Sequence, residues 1–198
     1  MHSFLYRFAS NCVEEKIIAQ QELDWLVYGL ERRITATATA VFFLIVGIYL
    51  ANPLSVITFM VSFYFLRVRT NGYHANSFVA CLFFSLVLEM IFLKFVLPIV
   101  NLLVFLLLNF VSLFVIFLLA PFANRNMHLN EEEFKACRKS SRIRISVLFT
   151  AAILMYAFGE FNISKGITLG ITMTALLLII AYIKNKGENE HERSKQNQ

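Results

Sequence analysis

In the stretch "RTNGYHANSFVAC", residues 69–81, a histidine (His74) stands seven positions before a cysteine (Cys81), with Gly72 between Arg67 and the pair. A cysteine attacks a carbonyl as its thiolate, and an ordinary thiol, with a pKa of about 8.5, is mostly protonated at neutral pH. An imidazole within reach can take that proton and later return it to a leaving amine. These two side chains are the smallest set that cleaves a peptide through a thioester. Taken singly they say little. A cysteine in an apolar helix is commonly a small core hydrophobe, an interfacial histidine is usually satisfied by water or backbone, and Arg67 alone reads as a cation at a membrane boundary. Spacing limits how the pair can meet. In one unbroken helix the two residues would lie about 10.5 Å apart along the axis, and His74 would lean away from Cys81. Contact therefore requires His74 to sit outside regular helix. Asn71-Gly72 is turn chemistry with backbone freedom at the glycine. Asn76 or Ser77 can cap a helix that begins near Phe78. The expectation is an irregular segment carrying His74 back over Cys81, one turn into that helix, where protein or a water-lined cavity covers the backbone.

The elements that must position this pair are apolar. Of 198 residues, 58% are hydrophobic and only 16% are charged, against about 25% charged in soluble domains. Runs near the length of a bilayer crossing recur along the chain. The fold class expected is all-α: a polytopic membrane protein of about six transmembrane or re-entrant helices plus an N-terminal interfacial helix. The apolar segments are 34–51, 53–66, 78–97, 99–120, 143–159 and 165–183. Asn52-Pro53 and Pro98 divide neighbours, because proline removes a donor and disfavours helix in the residue before it. Segment 53–66, about 21 Å as a helix, is short for a core of about 30 Å. Residues 1–183 form a single expected domain, with 1–33 as the N-terminal part, 34–183 as the bundle and 184–198 as a disordered polar tail. Arg and Lys concentrate in 1–33, 67–77, 121–142 and 184–198 or at the adjoining span ends, which puts both termini and the Cys/His pair on the cytosolic side. The net charge of +5 is accordingly a topology and anionic-lipid signal, with no nucleic acid implied.

The remaining chemistry-bearing residues carry weaker readings. No cleavable signal core is evident after Ser10. Trp25 and Tyr28 suit an interfacial anchor. Asn130 followed by Glu131, Glu132 and Glu133 reads as an N-cap with acids in the first turn, opening a cytosolic helix that continues into the fifth span. Glu89 and Lys94 lie inside the third span, where an ionisable residue is a functional candidate; Glu89 either pairs with Lys94 or reaches toward the far surface. Cys12 and Cys137 are bystanders, no disulfide framework is expected, and the histidines and cysteines show no compact metal-ligand spacing. No metal and no cofactor are expected.

Arg67, Gly72, His74 and Cys81 in this order, placed after two apolar segments, resemble the accessory gene regulator B family of bacterial membrane peptidases. Ala120-Pro121 at the end of the fourth segment, followed by a basic loop containing Asn126, is similar to that family's second landmark. The resemblance covers nearly the whole chain, with departures at Asn71-Gly72 (paired glycines in many relatives), Phe122-Ala123 (an acidic residue is common) and His128 (often proline). It implies a cysteine peptidase of the bacterial cell membrane that converts a small precursor peptide into a cyclic autoinducer for quorum sensing. It implies His74 and Cys81 as catalytic residues, and Arg67 and Gly72 as supporting or substrate-binding ones. The implied substrate carries an amphipathic leader and an acidic C-terminal tail, for which Arg67 and the basic cluster at 135–144 are candidate docking groups. A homodimer is an admissible assembly. The competing reading is non-enzymatic: a small transporter or scaffold in which His74 and Cys81 merely pack.

Overall fold

A computed structural model describes residues 2–15, 19–70, 78–122 and 130–196, with side chains over 4–15, 19–31, 33–70, 80, 82–122 and 130–186. The described residues are all-α, with no strand among them, and they divide into two units, Met1–Ile45 and Val46–Gln198. Five helices are long and apolar enough to cross a membrane: Gln20–Leu50, Leu82–Ile99, Leu102–Leu119, Glu131–Ala157 and Phe161–Lys186. The chain is a polytopic helical membrane protein.

In the first unit, α1 (His2–Glu14) is followed by a short 3-10 turn and the start of α2 (Leu23–Leu50). Leu5 and Ala9, one turn apart on α1, are buried with Leu23 and Val27 of α2, and Val13, Leu26 and Leu30 pack against them. Two amphipathic helices thus bury one stripe each. The N-terminal helix expected within 1–33 is present as α1 and the start of α2; the continuity of α2 through Arg33 was not expected from the sequence. Glu, Leu, Arg and Ala are good helix formers, so nothing stops the helix between the polar stretch and the apolar one. Trp25 and Tyr28 are both exposed.

In the second unit, Asn52 opens α3 (Pro53–Thr70) by accepting from the Leu54 amide at 2.9 Å. Proline follows at the first helical position, where its missing N–H has no helical partner to lose. α3 has 18 residues, about 27 Å at 1.5 Å per residue, longer than the 53–66 read from hydropathy because Arg67 and Arg69 continue the helix. Next come α4 (Phe78–Ile91), a π-helical turn (Phe92–Val96), α5 (Leu97–Ile99), α6 (Leu102–Leu119), α7 (Glu131–Ala157) and α8 (Phe161–Gln196). Pro98 lies inside the last short turn, not at a break. Asn130 caps α7 as its sequence suggests: its amide donates to Glu133 Oε2 at 3.0 Å, and its side chain accepts from the Glu131 amide. α7 then runs unbroken into the apolar stretch. The Ala120-Pro121 peptide is cis.

The centre of this unit is α8, buried on most sides from Ser164 to Ala181 and packed against α3, α6 and α7. The α8 helix also continues to Gln196, through most of the tail read as disordered. Once the buried stretch has nucleated a helix, addition of Lys, Glu, Arg and Gln residues is a favourable step. α6 is organised inside-out relative to a soluble helix. Phe105, Asn109, Ser112 and Ile116 face the interior, while Leu103, Leu107, Phe110, Phe114 and Leu118 are exposed. That pattern suits hydrocarbon outside and interhelical hydrogen bonds inside.

α3 and α8 approach closely at two glycines. A Cβ on Gly166 would press on Thr58 Oγ1 and the Ser55 carbonyl, and one on Gly170 would stand 2.7 Å from the Phe59 carbonyl oxygen. Small residues four apart let helix backbones pack without side chains between them. Gly170→Ala is expected to destabilise the bundle by about 1–3 kcal/mol through overpacking, read as a lower Tm in detergent. An unchanged Tm would contradict so close an approach.

Candidate active site

The last turn of α3 and the first turn of α4 frame the site. α3 ends at Thr70 and α4 begins at Phe78, the start expected from the cap residues before it. Cys81 therefore belongs to the first turn of α4. A helix's N-terminal turn favours negative charge through its unpaired N–H groups, so a thiolate at that position has helix geometry in its favour. Gly72 and His74 fall in 71–77 and lie outside the described residues, as does the side chain of Cys81. Arg67, in the last turn of α3, is half-buried. Arg67 and Arg69 both sit where the negative end of the helix dipole favours cations.

Two contacts hold this end of α3. The Phe122 amide, just past the Ala120-Pro121 landmark, donates to the Thr70 carbonyl at 3.0 Å. From α7, Arg144 Nη1 donates to the Phe65 carbonyl at 2.6 Å, and its guanidinium lies 4.5 Å from the centre of the Phe65 ring. Thr70 is fully buried.

The basic cluster at 135–144 separates into two kinds of residue. Lys135, Arg138 and Lys139 are exposed; Lys135 meets only Glu131, one turn earlier, at 3.9 Å, a solvated pair of small energetic worth. Arg142 and Arg144 are half-buried and turned toward the protein. Arg142 stacks 5.5 Å from the centre of the Phe117 ring on α6 and reaches the Phe117 carbonyl at 3.5 Å. Only the outer part of the expected docking cluster faces solvent.

Glu89, two turns beyond Cys81 on α4, is 2% exposed, and neither carboxyl oxygen has a hydrogen-bond partner among the described residues. Gly47 of α2 lies beside Oε1. Lys94 is exposed on the π turn, and the pairing with Glu89 allowed for in the sequence is not formed among the described residues. Residues five apart are not neighbours on a helix surface, where pairs form at three or four. Nor does Glu89 reach a surface.

Several residues outside the expected site prove structural. Asn109 Nδ2 on α6 donates to Thr168 Oγ1 on α8 and to the Phe105 carbonyl, both at 2.9 Å. Ser164 Oγ on α8 donates to the Ala152 carbonyl of α7 at 2.9 Å. A lone asparagine within "LLVFLLLNFVSLFVIFLL" is the signal that sequence reading passed over, since polar residues in a span face the bundle interior. Arg144 had no such signal. Its role depends on which carbonyl α7 brings within reach.

A family model described as Accessory gene regulator B matches residues 5–180, most of the chain. No curated protein and no solved structure matches it.

Proposed function

The chain belongs to the accessory gene regulator B family, known for processing autoinducer peptides, and from that premise we propose that it is a membrane cysteine endopeptidase acting through Cys81 and His74. The observation that carries this reading is the family match over residues 5–180. Cys81 stands in the opening turn of α4, where a helix N-terminus favours a thiolate, and His74 stands seven residues before it in sequence.

In this reaction His74 takes the Cys81 proton, and the thiolate attacks a carbonyl of the membrane-bound precursor. His74 then protonates the leaving amine, the C-terminal fragment departs, and the precursor core remains as an acyl-thioester. A cysteine or serine within that core attacks the same carbonyl, closes a thiolactone or lactone and frees Cys81. Thioester exchange is nearly balanced, so no nucleotide is required for closure, while release of the cut tail helps drive the uphill first step. Exclusion of water protects the thioester from hydrolysis. Gly72 is the supporting residue beside the pair, and Arg67 binds a precursor carboxylate. The charge distribution supports a cytosolic site with both termini inside. Lys135, Arg138 and Lys139 are the groups placed to attract an acidic precursor tail, while anionic lipid holds the basic face. A homodimer is compatible with this scheme.

The test is co-expression with candidate small peptides encoded beside the protein, followed by mass spectrometry of Cys81. A precursor fragment attached to Cys81, absent in Cys81→Ala and not formed in His74→Ala, is the expected outcome. With the cognate precursor in hand, no adduct together with unchanged cleavage in Cys81→Ala would leave the scaffold or transporter reading in its place.

A further inference from the structure

The peptidase scheme leaves Glu89 without a task. Its carboxyl is buried inside the third span, and neither oxygen has a hydrogen-bond partner among the described residues. What surrounds it is apolar. A Cβ added to Gly47 of α2 would stand 3.1 Å from Glu89 Oε1, 3.3 Å from Leu93 Cδ1 and hard against Val56 Cγ1. Thus α2, α3 and the π turn meet beside this carboxyl at a notch kept open by a residue with no side chain. The titratable side chains of these elements at membrane depth do not face it. From Ile34 to Leu50 of α2 and from Pro53 to Leu66 of α3 they are Tyr49 and Tyr64, both exposed. Lys94 is exposed on the π turn, and along α4 the other is Cys81, eight positions earlier. A carboxylate with no cation and no donor in such surroundings is far less favourable than the neutral acid. An ionisable residue within a span is, by default, part of an ion or proton path. The helix also changes geometry next to it. The Leu97 amide reaches back five residues to the Phe92 carbonyl, a π turn of the kind that recurs at functional sites, and Pro98 has no N–H to offer the Lys94 carbonyl.

We propose that Glu89 is a proton-binding site inside the membrane, coupled to the separation of α2 from α4 at Gly47. In the closed arrangement described here the carboxyl holds its proton. When the two helices part, water reaches the carboxyl and the proton leaves to it. Both oxygens are sealed from solvent, so nothing larger than a proton binds without that movement. The direction of the coupling follows. The charged form is tolerated only where water solvates it, so raising the pH draws the protein toward the open arrangement and lowering it restores the closed one. This site goes beyond the peptidase reading and does not depend on it.

The experiment uses full-length protein in lipid vesicles and needs no precursor. One sample receives dicyclohexylcarbodiimide, a membrane-soluble reagent that adds to protonated carboxyl groups, and another receives a water-soluble carbodiimide. Mass spectrometry then reads the peptide containing Glu89. Near neutral pH the membrane-soluble reagent should label Glu89 and the water-soluble one should not, and the labelling should decline as the pH is raised. Hydrogen exchange of the amides at 44–50 and 86–93 reads the opening itself. Expressed relative to Glu89→Gln, which cannot ionise, wild-type exchange should grow with pH by up to about tenfold per unit, the slope of an opening linked to one proton. Three results would overturn the proposal. Equal labelling by the two reagents at neutral pH would show a carboxyl already open to water. Labelling by neither, while exposed carboxyls react, would show a carboxylate held charged by a partner. Exchange that keeps a constant ratio to Glu89→Gln at every pH would remove the coupling. If Glu89→Gln does not insert, the wild-type labelling profile decides alone, and labelling that does not change with pH counts against the site.

Discussion

Cys81→Ser is expected to insert into the membrane normally and to lose precursor processing by on the order of 10⁴-fold or more, the scale seen when a covalent nucleophile is removed. The serine preserves the size of the side chain and its place in the first turn of α4, so the substitution isolates chemistry from packing. What it removes is the ability to ionise near neutral pH. A hydroxyl with the same histidine beside it has a far smaller anionic fraction than a thiol, and an ester in place of the thioester is a poorer acyl donor for ring closure. A scaffold in which Cys81 only packs makes the opposite prediction: a change within the range of ordinary substitutions, about 1 kcal/mol or less in stability, and no effect on peptide products. Cleaved tail and cyclic product, followed by mass spectrometry in vesicles containing the cognate precursor, separate the two. Wild-type yields from Cys81→Ser would end the thiol mechanism.

Much of the arrangement around this thiol follows from local rules that act within a few residues. Asn52-Pro53, Asn130 with its three glutamates, and the turn-and-cap residues before Phe78 each mark a helix start, and the helices begin at Pro53, Glu131 and Phe78. Capping depends on side chains one to three positions away, which a sequence displays directly. Helix ends were harder to place. α3 passes through Arg67 and Arg69 to Thr70, and α8 continues far past its apolar part, because hydropathy marks where a helix leaves lipid and not where its hydrogen bonds stop. Contacts between distant segments were not legible at all. Arg142 and Arg144 read as two more charges in a basic run until α7 is packed against α6 and α3. Then they become partners of Phe117 and Phe65. Glu89 shows the reverse. Its position in a span marked it as exceptional, yet nothing local in the sequence told that its carboxyl would be buried at 2% exposure. Gly72, His74 and the side chain of Cys81 stand on the sequence pattern and the family match, with the helix bounds on either side as their structural frame.

His74→Ala supplies the second large effect, and its dependence on pH carries the argument. Removing a general base typically costs 10²- to 10⁴-fold, so acylation of Cys81 at neutral pH should fall by about that much while the thiol itself remains. With no imidazole to take the proton, the thiolate must come from bulk ionisation. The rate in His74→Ala should then climb steadily with pH toward the free-thiol range near 8.5, narrowing its gap to wild type. Alkylation of Cys81 by iodoacetamide gives an independent reading without any precursor: the variant should require higher pH than wild type for the same rate. A histidine that only packs would lower activity by an amount that does not vary with pH and would leave the alkylation profile where it was.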